Sequence, residues 1–314
     1  MIKEDNSLLR GDASMKAPRI LYGSFLIAIF AFQAGAKQDE PFLARVKALE
    51  GKTTAARRQA ILNILRNLNL EYSKELFQAP SGSGYNIVTT FGQGEGQILV
   101  GAHYDVLPWS PGANDNGSGV SVALGLVEKL KDAKMNSTIK VIFFDAEEQG
   151  GVGSRAYINS HKGDKIIAYF NLDVCGAGDT IFFGPGYGGQ SNPALRAVRR
   201  VVKEKNISHA ESTPFPPGDD RSFQAAGIPN VSIAIVSKKD AILLTQMMKG
   251  EPSEEAPQVL KIIDTPKDNS ALVQAEAIER VFEVIYGALL HLDSQSVEAE
   301  MPAATERKME LPVR

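Results

Sequence analysis

Carboxylates and one histidine gather at four points of this 314-residue chain. The first is Gly101-Ala102-His103-Tyr104-Asp105. Residues two apart on a strand project to the same side. An imidazole able to ligate a metal therefore stands beside a carboxylate, Asp105, able to hold its other N–H. The second is the glycine-flanked loop Pro111-Gly112-Ala113-Asn114-Asp115-Asn116-Gly117-Ser118-Gly119. Asp115 there is either a helix-capping carboxylate or a ligand whose two oxygens bridge two cations. The third is Asp145-Ala146-Glu147-Glu148-Gln149-Gly150-Gly151, with three acids directly after an apolar run. Such acids at the rim of a buried sheet repel one another unless cations or donors compensate. A division of labour accounts for them: one glutamate ligates a metal, and its neighbour stays free as general base for the activated water. The fourth, Asn171-Leu172-Asp173, sets another carboxylate at a strand end. Each segment alone is weak, since an isolated His-x-Asp is more often a structural pair.

The elements that must position these residues alternate in type. Residues 54–69 place Ala, Ile and Leu at helical spacing, and 118–131 present Val, Leu and Ala on one helical face. Residues 85–91 and 97–105 are β-branched runs joined by the turn Gly92-Gln93-Gly94-Glu95-Gly96. Residues 139–146, 166–173 and 230–236 are near-continuous apolar runs, as strands buried on both faces require. Helical patterns at 193–205 and 271–292 fill the gaps. This alternation predicts a three-layer α/β/α sandwich with the chemistry at the carboxyl ends of its strands. The segment 238–259 takes no assignment, and 294–314 is expected to be a flexible tail.

Hydrophobic residues make up 43% and charged residues 23%, with a formal net charge of −3 and no basic block. Nucleic acid is therefore not an expected partner. The single cysteine, Cys175, leaves neither an intrachain disulfide nor a Cys-rich zinc site. Any metal must be held by histidine and carboxylates. Residues 20–36 form an uncharged, predominantly apolar run, preceded by Lys16 and Arg19 and closed by Ala34-Gly35-Ala36. That pattern predicts a signal over residues 1–36, cleaved to leave an exported periplasmic or secreted protein without a stable membrane partner. The alternative is a membrane anchor through residues 20–36. Either Met1 or Met15 serves as the start.

The segments GAHYD, GANDNGSG, FDAEEQGGVGSRAY and NLD, in this order and spacing, resemble the zinc aminopeptidases of peptidase family M28. The resemblance covers about residues 40–293, within an expected metallopeptidase domain of 37–293. It implies a zinc-peptidase fold with a central mixed, largely parallel sheet. It also implies two Zn2+ ions per chain, peptide substrates, and release of N-terminal amino acids. Carried over residue by residue, Asp115 bridges the metals, His103 and Asp173 complete one site, and Glu148 belongs to the other. Glu147 is the general base, and Asp105 orients His103.

Two segments depart from the family pattern. Ile263-Asp264-Thr265-Pro266-Lys267-Asp268 carries Asp264 where the family has a ligand histidine, and Asp220 replaces a histidine in Gly218-Asp219-Asp220-Arg221-Ser222-Phe223. Asp264 is expected to ligate through oxygen. The shell is then one histidine with Asp115, Glu148, Asp173 and Asp264, a hard set that shifts preference toward Mn2+ or Mg2+. The alternatives are a weakened second site in a mononuclear enzyme, a glutaminyl-peptide cyclotransferase-like enzyme, or a non-catalytic binding protein on the same fold.

Overall fold

The computed structural model describes residues 41–80 and 82–300. The signal or anchor expected over 1–36 lies outside these, as does the chain beyond 300. Among the described residues no helix is long and apolar enough to cross a membrane.

Two helices open the described chain, α1 (Pro41–Leu49) and α2 (Thr54–Asn67). The Thr53 hydroxyl accepts from Ala56 N and starts α2, whose buried stripe is Arg57, Ile61, Leu62 and Leu65. The strands β1 (Ser73–Ala79), β2 (Gly82–Phe91), β3 (Gln97–His103) and β4 (Thr138–Phe144) follow, with α3 (Gly119–Leu130) between the last two. After α4 (Val152–Ser160) come β5 (Ile166–Leu172), β6 (Thr180–Tyr187), α5 (Pro193–Glu204) and β7 (His209–Glu211). The chain closes with α6 (Asp220–Ala225), β8 (Asn230–Val236), α7 (Lys238–Met248) and α8 (Ala275–Glu300). Helix α8 continues past residue 293, where the expected domain stopped.

One eight-stranded sheet runs in the order β1-β2-β4-β3-β5-β8-β6-β7. Its centre, β4-β3-β5-β8, is parallel, and β1–β2, β2–β4 and β6–β8 are antiparallel. The glycine-rich turn after β2 therefore joins strands that do not pair, because β4 lies between them.

Period-two alternation sends successive side chains to opposite faces. Ile98, Val100 and Ala102 of β3, with Ile139, Val141 and Phe143 of β4, join the larger core under α1, α2, α3, α5 and α8. Leu99, Ile142 and Phe144 face the other side, packed with Tyr157 of α4 and Phe223 of α6. Both faces are thus covered, which is why these strands read as unbroken apolar runs. On the smaller face, a Cβ at Gly101 would lie 2.5 Å from Phe144 Cε2 and 2.5 Å from the Tyr169 hydroxyl. Only glycine fits there, two residues before His103.

Helix α7 occupies the segment left unassigned from sequence. The Ser237 hydroxyl caps it at Asp240 N. The Asp240 carboxylate accepts from Gln258 N at 2.6 Å and Val259 N at 3.3 Å, holding the return segment against the sheet.

Candidate metal centre

The parallel strands β3, β4 and β5 end side by side, and the acid-bearing loops leave from those ends. Donor atoms of His103, Asp115 and Glu148 lie within 4.8 Å of one another. His103 Nε2 is 3.1 Å from Asp115 Oδ1 and 3.5 Å from Asp173 Oδ1. His103 Nδ1 lies 3.4 Å from Asp105 Oδ1, close enough for attraction but outside good hydrogen-bond geometry. His103, Asp105, Asp115, Glu148 and Asp173 are thereby brought together from four separate loops.

Asp105 has two tasks. Its Oδ1 accepts from Glu147 N at 3.1 Å, and its Oδ2 accepts from Glu148 N at 3.1 Å. One carboxylate therefore faces the imidazole and fixes the turn that presents both glutamates. Ala146, at φ +57, makes the left-handed step into that turn. Asp145 stands apart. It accepts from Tyr85 N at 3.1 Å and the Tyr104 hydroxyl at 2.8 Å, latching β4 to its neighbours. Of the three acids after β4, only two face the cluster.

Asp115 does not cap α3, which begins at Gly119 without a side-chain cap. Its loop is clamped instead. Asn114 N and Asp115 N donate to Asp268 Oδ1 and Oδ2 at 2.8 and 2.9 Å. The Asn116 amide donates to Leu172 O at 2.8 Å, and Asn114 Oδ1 accepts from Gly176 N at 2.8 Å. These bonds tie the Asp115 loop to both sides of Asp173.

Asp264 sits differently. It is exposed, at φ +58, and its carbonyl accepts from the Trp109 indole at 3.0 Å. It lies outside the group within 4.8 Å, though its charge acts on Glu148. Asp220 accepts from Gly218 N at 2.9 Å and opens α6. Its neighbour Asp219 is 1% exposed, with no hydrogen-bond partner at either oxygen. Sequence reasoning did not single out Asp219 or Asp268. The Gly-Asp-Asp ahead of α6 was the available signal for Asp219, and it reads equally well as a helix start.

The electrostatics follow from crowding acids out of water. Burial pushes Glu147 up to about 9, opposed by His103 and reinforced by Asp219, Asp173 and Asp115. Burial, then Asp115 and Asp264 against the pull of His103, raises Glu148 to about 8. Burial takes Asp219 to about 7. Burial also works against the His103 imidazolium, yet Asp105, Asp115 and Asp173 together raise its pKa well above the ordinary value. Buried Asp115 Oδ1 and Asp173 Oδ1 lack hydrogen-bond partners and converge on His103 Nε2, while the unpartnered His103 Nδ1 faces Asp105. Unpartnered oxygens and a nitrogen converging on one point fit a divalent cation, and oxygen-rich donors with one imidazole suit zinc or a harder metal.

Beside Asp173 an apolar pocket is lined by Val174, Phe215, Leu244, Val259 and Ile263. It offers an uncharged side chain a place within reach of the acids.

The sequence profile of peptidase family M28 matches residues 86–289. The chain belongs to peptidase family M28. Aminopeptidase YwaD of Bacillus subtilis is 28% identical over 218 residues, covering 67% of this chain and 43% of that protein. The solved structure of a zinc aminopeptidase from Bacillus subtilis superposes with a TM-score of 0.56 at 25% identity, over 68% of this chain and 51% of that one. A glutaminyl cyclase from Fimbriiglobus ruber shares the fold, with a TM-score of 0.60 at 16% identity, over 79% of this chain and 93% of that one. The chain spans about half the length or less of the two aminopeptidases. The M28 match begins inside β2, so α1, α2 and β1 precede it.

Proposed function

We propose that this protein is a metal-dependent aminopeptidase that releases apolar N-terminal residues from peptides. The observation that carries this reading is the convergence of His103, Asp115 and Glu148 donor atoms within 4.8 Å beside a separate, half-buried Glu147. The zinc aminopeptidase among the related structures supports it.

His103, Asp115 and Asp173 would hold one Zn2+, and Asp115, Glu148 and Asp264 would hold a second, more oxygen-rich position. When bound, such cations polarise the scissile carbonyl and lower the pKa of water. Glu147 accepts the proton of the attacking water and returns it to the departing amine. Asp105 keeps His103 and the Glu147–Glu148 turn in register. The α-amino group of the substrate is drawn to the surplus of carboxylates, and its side chain enters the pocket of Val174, Phe215 and Ile263. Residues 20–36 direct export to the periplasm or medium, and sequencing the N-terminus of host-derived protein should find a start near Lys37.

A panel of aminoacyl chromogenic substrates, with and without chelator, tests the activity. Chelator-sensitive release favouring Leu or Phe over Lys or Glu is expected, and absence of hydrolysis with zinc present refutes the reading. The glutaminyl cyclase fold neighbour keeps a second reading in play. A peptide with N-terminal Gln separates the two: free glutamine marks a peptidase, and ammonia marks a cyclase.

A further inference from the structure

Arg57 of α2 is fully buried, at 0% exposure. Among the described residues no carboxylate stands within ion-pairing distance of it. Its hydrogen bonds all go to main-chain carbonyls. Nε donates to Leu49 O at 3.2 Å, Nη1 to Tyr104 O at 3.3 Å, and Nη2 to Pro111 O at 3.3 Å and to Gly112 O. Tyr104 lies between His103 and Asp105, and Pro111 and Gly112 open the loop that carries Asp115. One side chain thus grips the backbone at two of the acid-bearing segments.

The grip is close. Gly112 adopts φ +65, and a Cβ there would lie 2.4 Å from Arg57 Nη2. The short α1–α2 turn adds to it: Gly51 N donates to Pro111 O at 2.9 Å, and Glu50 Oε1 accepts from Ser270 N at 2.8 Å. Burying a cation is costly without a paired charge, and an apolar side chain of similar size often serves stability as well or better. Stability alone therefore gives a weak reason for a guanidinium here. Its surroundings give a stronger one, because the charges that act on it are those of Asp115, Asp268, Asp105 and Glu148. A planar fork with five donors can bind several carbonyls at once and still leave a fixed positive charge behind the acids.

We propose that Arg57 is a positioning residue of the metal centre, supplied by a helix outside the family-matched region. It sets the backbone on both sides of the cluster so that His103 and Asp115 are aligned before a cation arrives. The inference rests on the metal-site reading above.

The test titrates zinc alone into the metal-free full chain by calorimetry, for wild type, Arg57→Lys, Arg57→Met and Gly112→Ala. Far-UV circular dichroism and the metal-free Tm establish folding, and titrations are run well below that Tm. Arg57→Lys keeps the charge but not the fork. It should fold and bind zinc about 10-fold more weakly, and Arg57→Met about 100-fold more weakly, the range seen when groups supporting metal ligands are removed. Gly112→Ala crowds the guanidinium without altering it, and presses on Val106 and Asp115 O as well, so it should also weaken zinc and serves beside the two Arg57 variants, not in their place. Graded loss, with lysine recovering part of what methionine forfeits, is not expected of a residue that only fills space. Folded variants with wild-type zinc affinity and stoichiometry overturn the proposal. Failure of all three to fold also overturns it, by assigning Arg57 to the fold instead of the site. Absence of zinc binding in wild type is a different result: it removes the metal-site reading itself.

Discussion

The loop of Asp115 and the loop of Asp264 face the same cluster but are built in opposite ways. The first is buried and gripped by Arg57, by the Asp268 carboxylate and by side-chain bonds from Asn114 and Asn116. The second presents an exposed Asp264 on a left-handed turn, with the Trp109 indole bonded to its carbonyl. A buried loop with its polar groups paired has few alternatives open to it, whereas an exposed turn can move by several tenths of an ångström at low cost. As a ligand, Asp264 would meet a cation from the side that can shift toward it.

The largest test lies on the buried side. Glu147→Gln should leave zinc content unchanged and lower kcat by about 10²–10⁴-fold or more. Near-normal turnover in that variant, measured beside metal analysis, removes Glu147 from the role of base. On the adaptable side, Asp264→Ala should lose about one zinc per chain, with affinity down about 10–100-fold, while His103 and Asp115 retain theirs. Asp264→His should tighten zinc. Equal calorimetric stoichiometry and affinity in wild type and Asp264→Ala show that Asp264 is not a ligand.

A third expectation concerns pH. In the metal-free fold Glu147, Glu148, Asp219, Asp220 and Asp268 have pKa values of about 9, 8, 7, 6 and 6, raised chiefly by burial. The folded state then binds more protons than the unfolded chain across roughly pH 4.5 to 9, so stability falls as pH rises through that window. The metal-free Tm should drop by about 5 °C or more between about pH 5.5 and 8.5. Saturating zinc should cancel most of the drop, since ligands shed protons to bind it. A metal-free Tm that is flat or rises with pH contradicts this account. The smallest effect is expected of Trp109→Phe, which removes only the indole donor to Asp264 O. Zinc affinity at the exposed side should fall about 3- to 10-fold, the scale of about one hydrogen bond, with no change in Tm beyond about 2 °C.

The buried strands and the residues at their ends were readable because apolar runs stop abruptly at glycine and acid. His103, Glu148 and Asp173 lie at or just past such stops, and Asp115 lies in the glycine-flanked loop ahead of α3. Asp145 was grouped with the chemistry because sequence adjacency cannot show that its partners are Tyr85 and Tyr104, 60 and 41 residues away. Asp268 serves Asp115 across 153 residues, and Arg57 reaches Gly112 across 55. Neither separation leaves a local pattern. Strand β6 was missed because Gly184 and Pro185 interrupt its apolar alternation. The polar, Met-containing segment holding α7 hid a helix whose cap, Ser237, directly follows a strand.

Gly101 ties the hereditary fate of three positions together. With Phe144 and the Tyr169 hydroxyl each 2.5 Å from the place a methyl group would take, alanine at 101 is barred by neighbours from two other strands. Such positions interact instead of adding. In a combinatorial library selected for hydrolysis, alanine at 101 should survive only in company with smaller residues at 144 and 169. A lineage can therefore leave glycine here only by passing through variants whose aromatic packing has already been loosened.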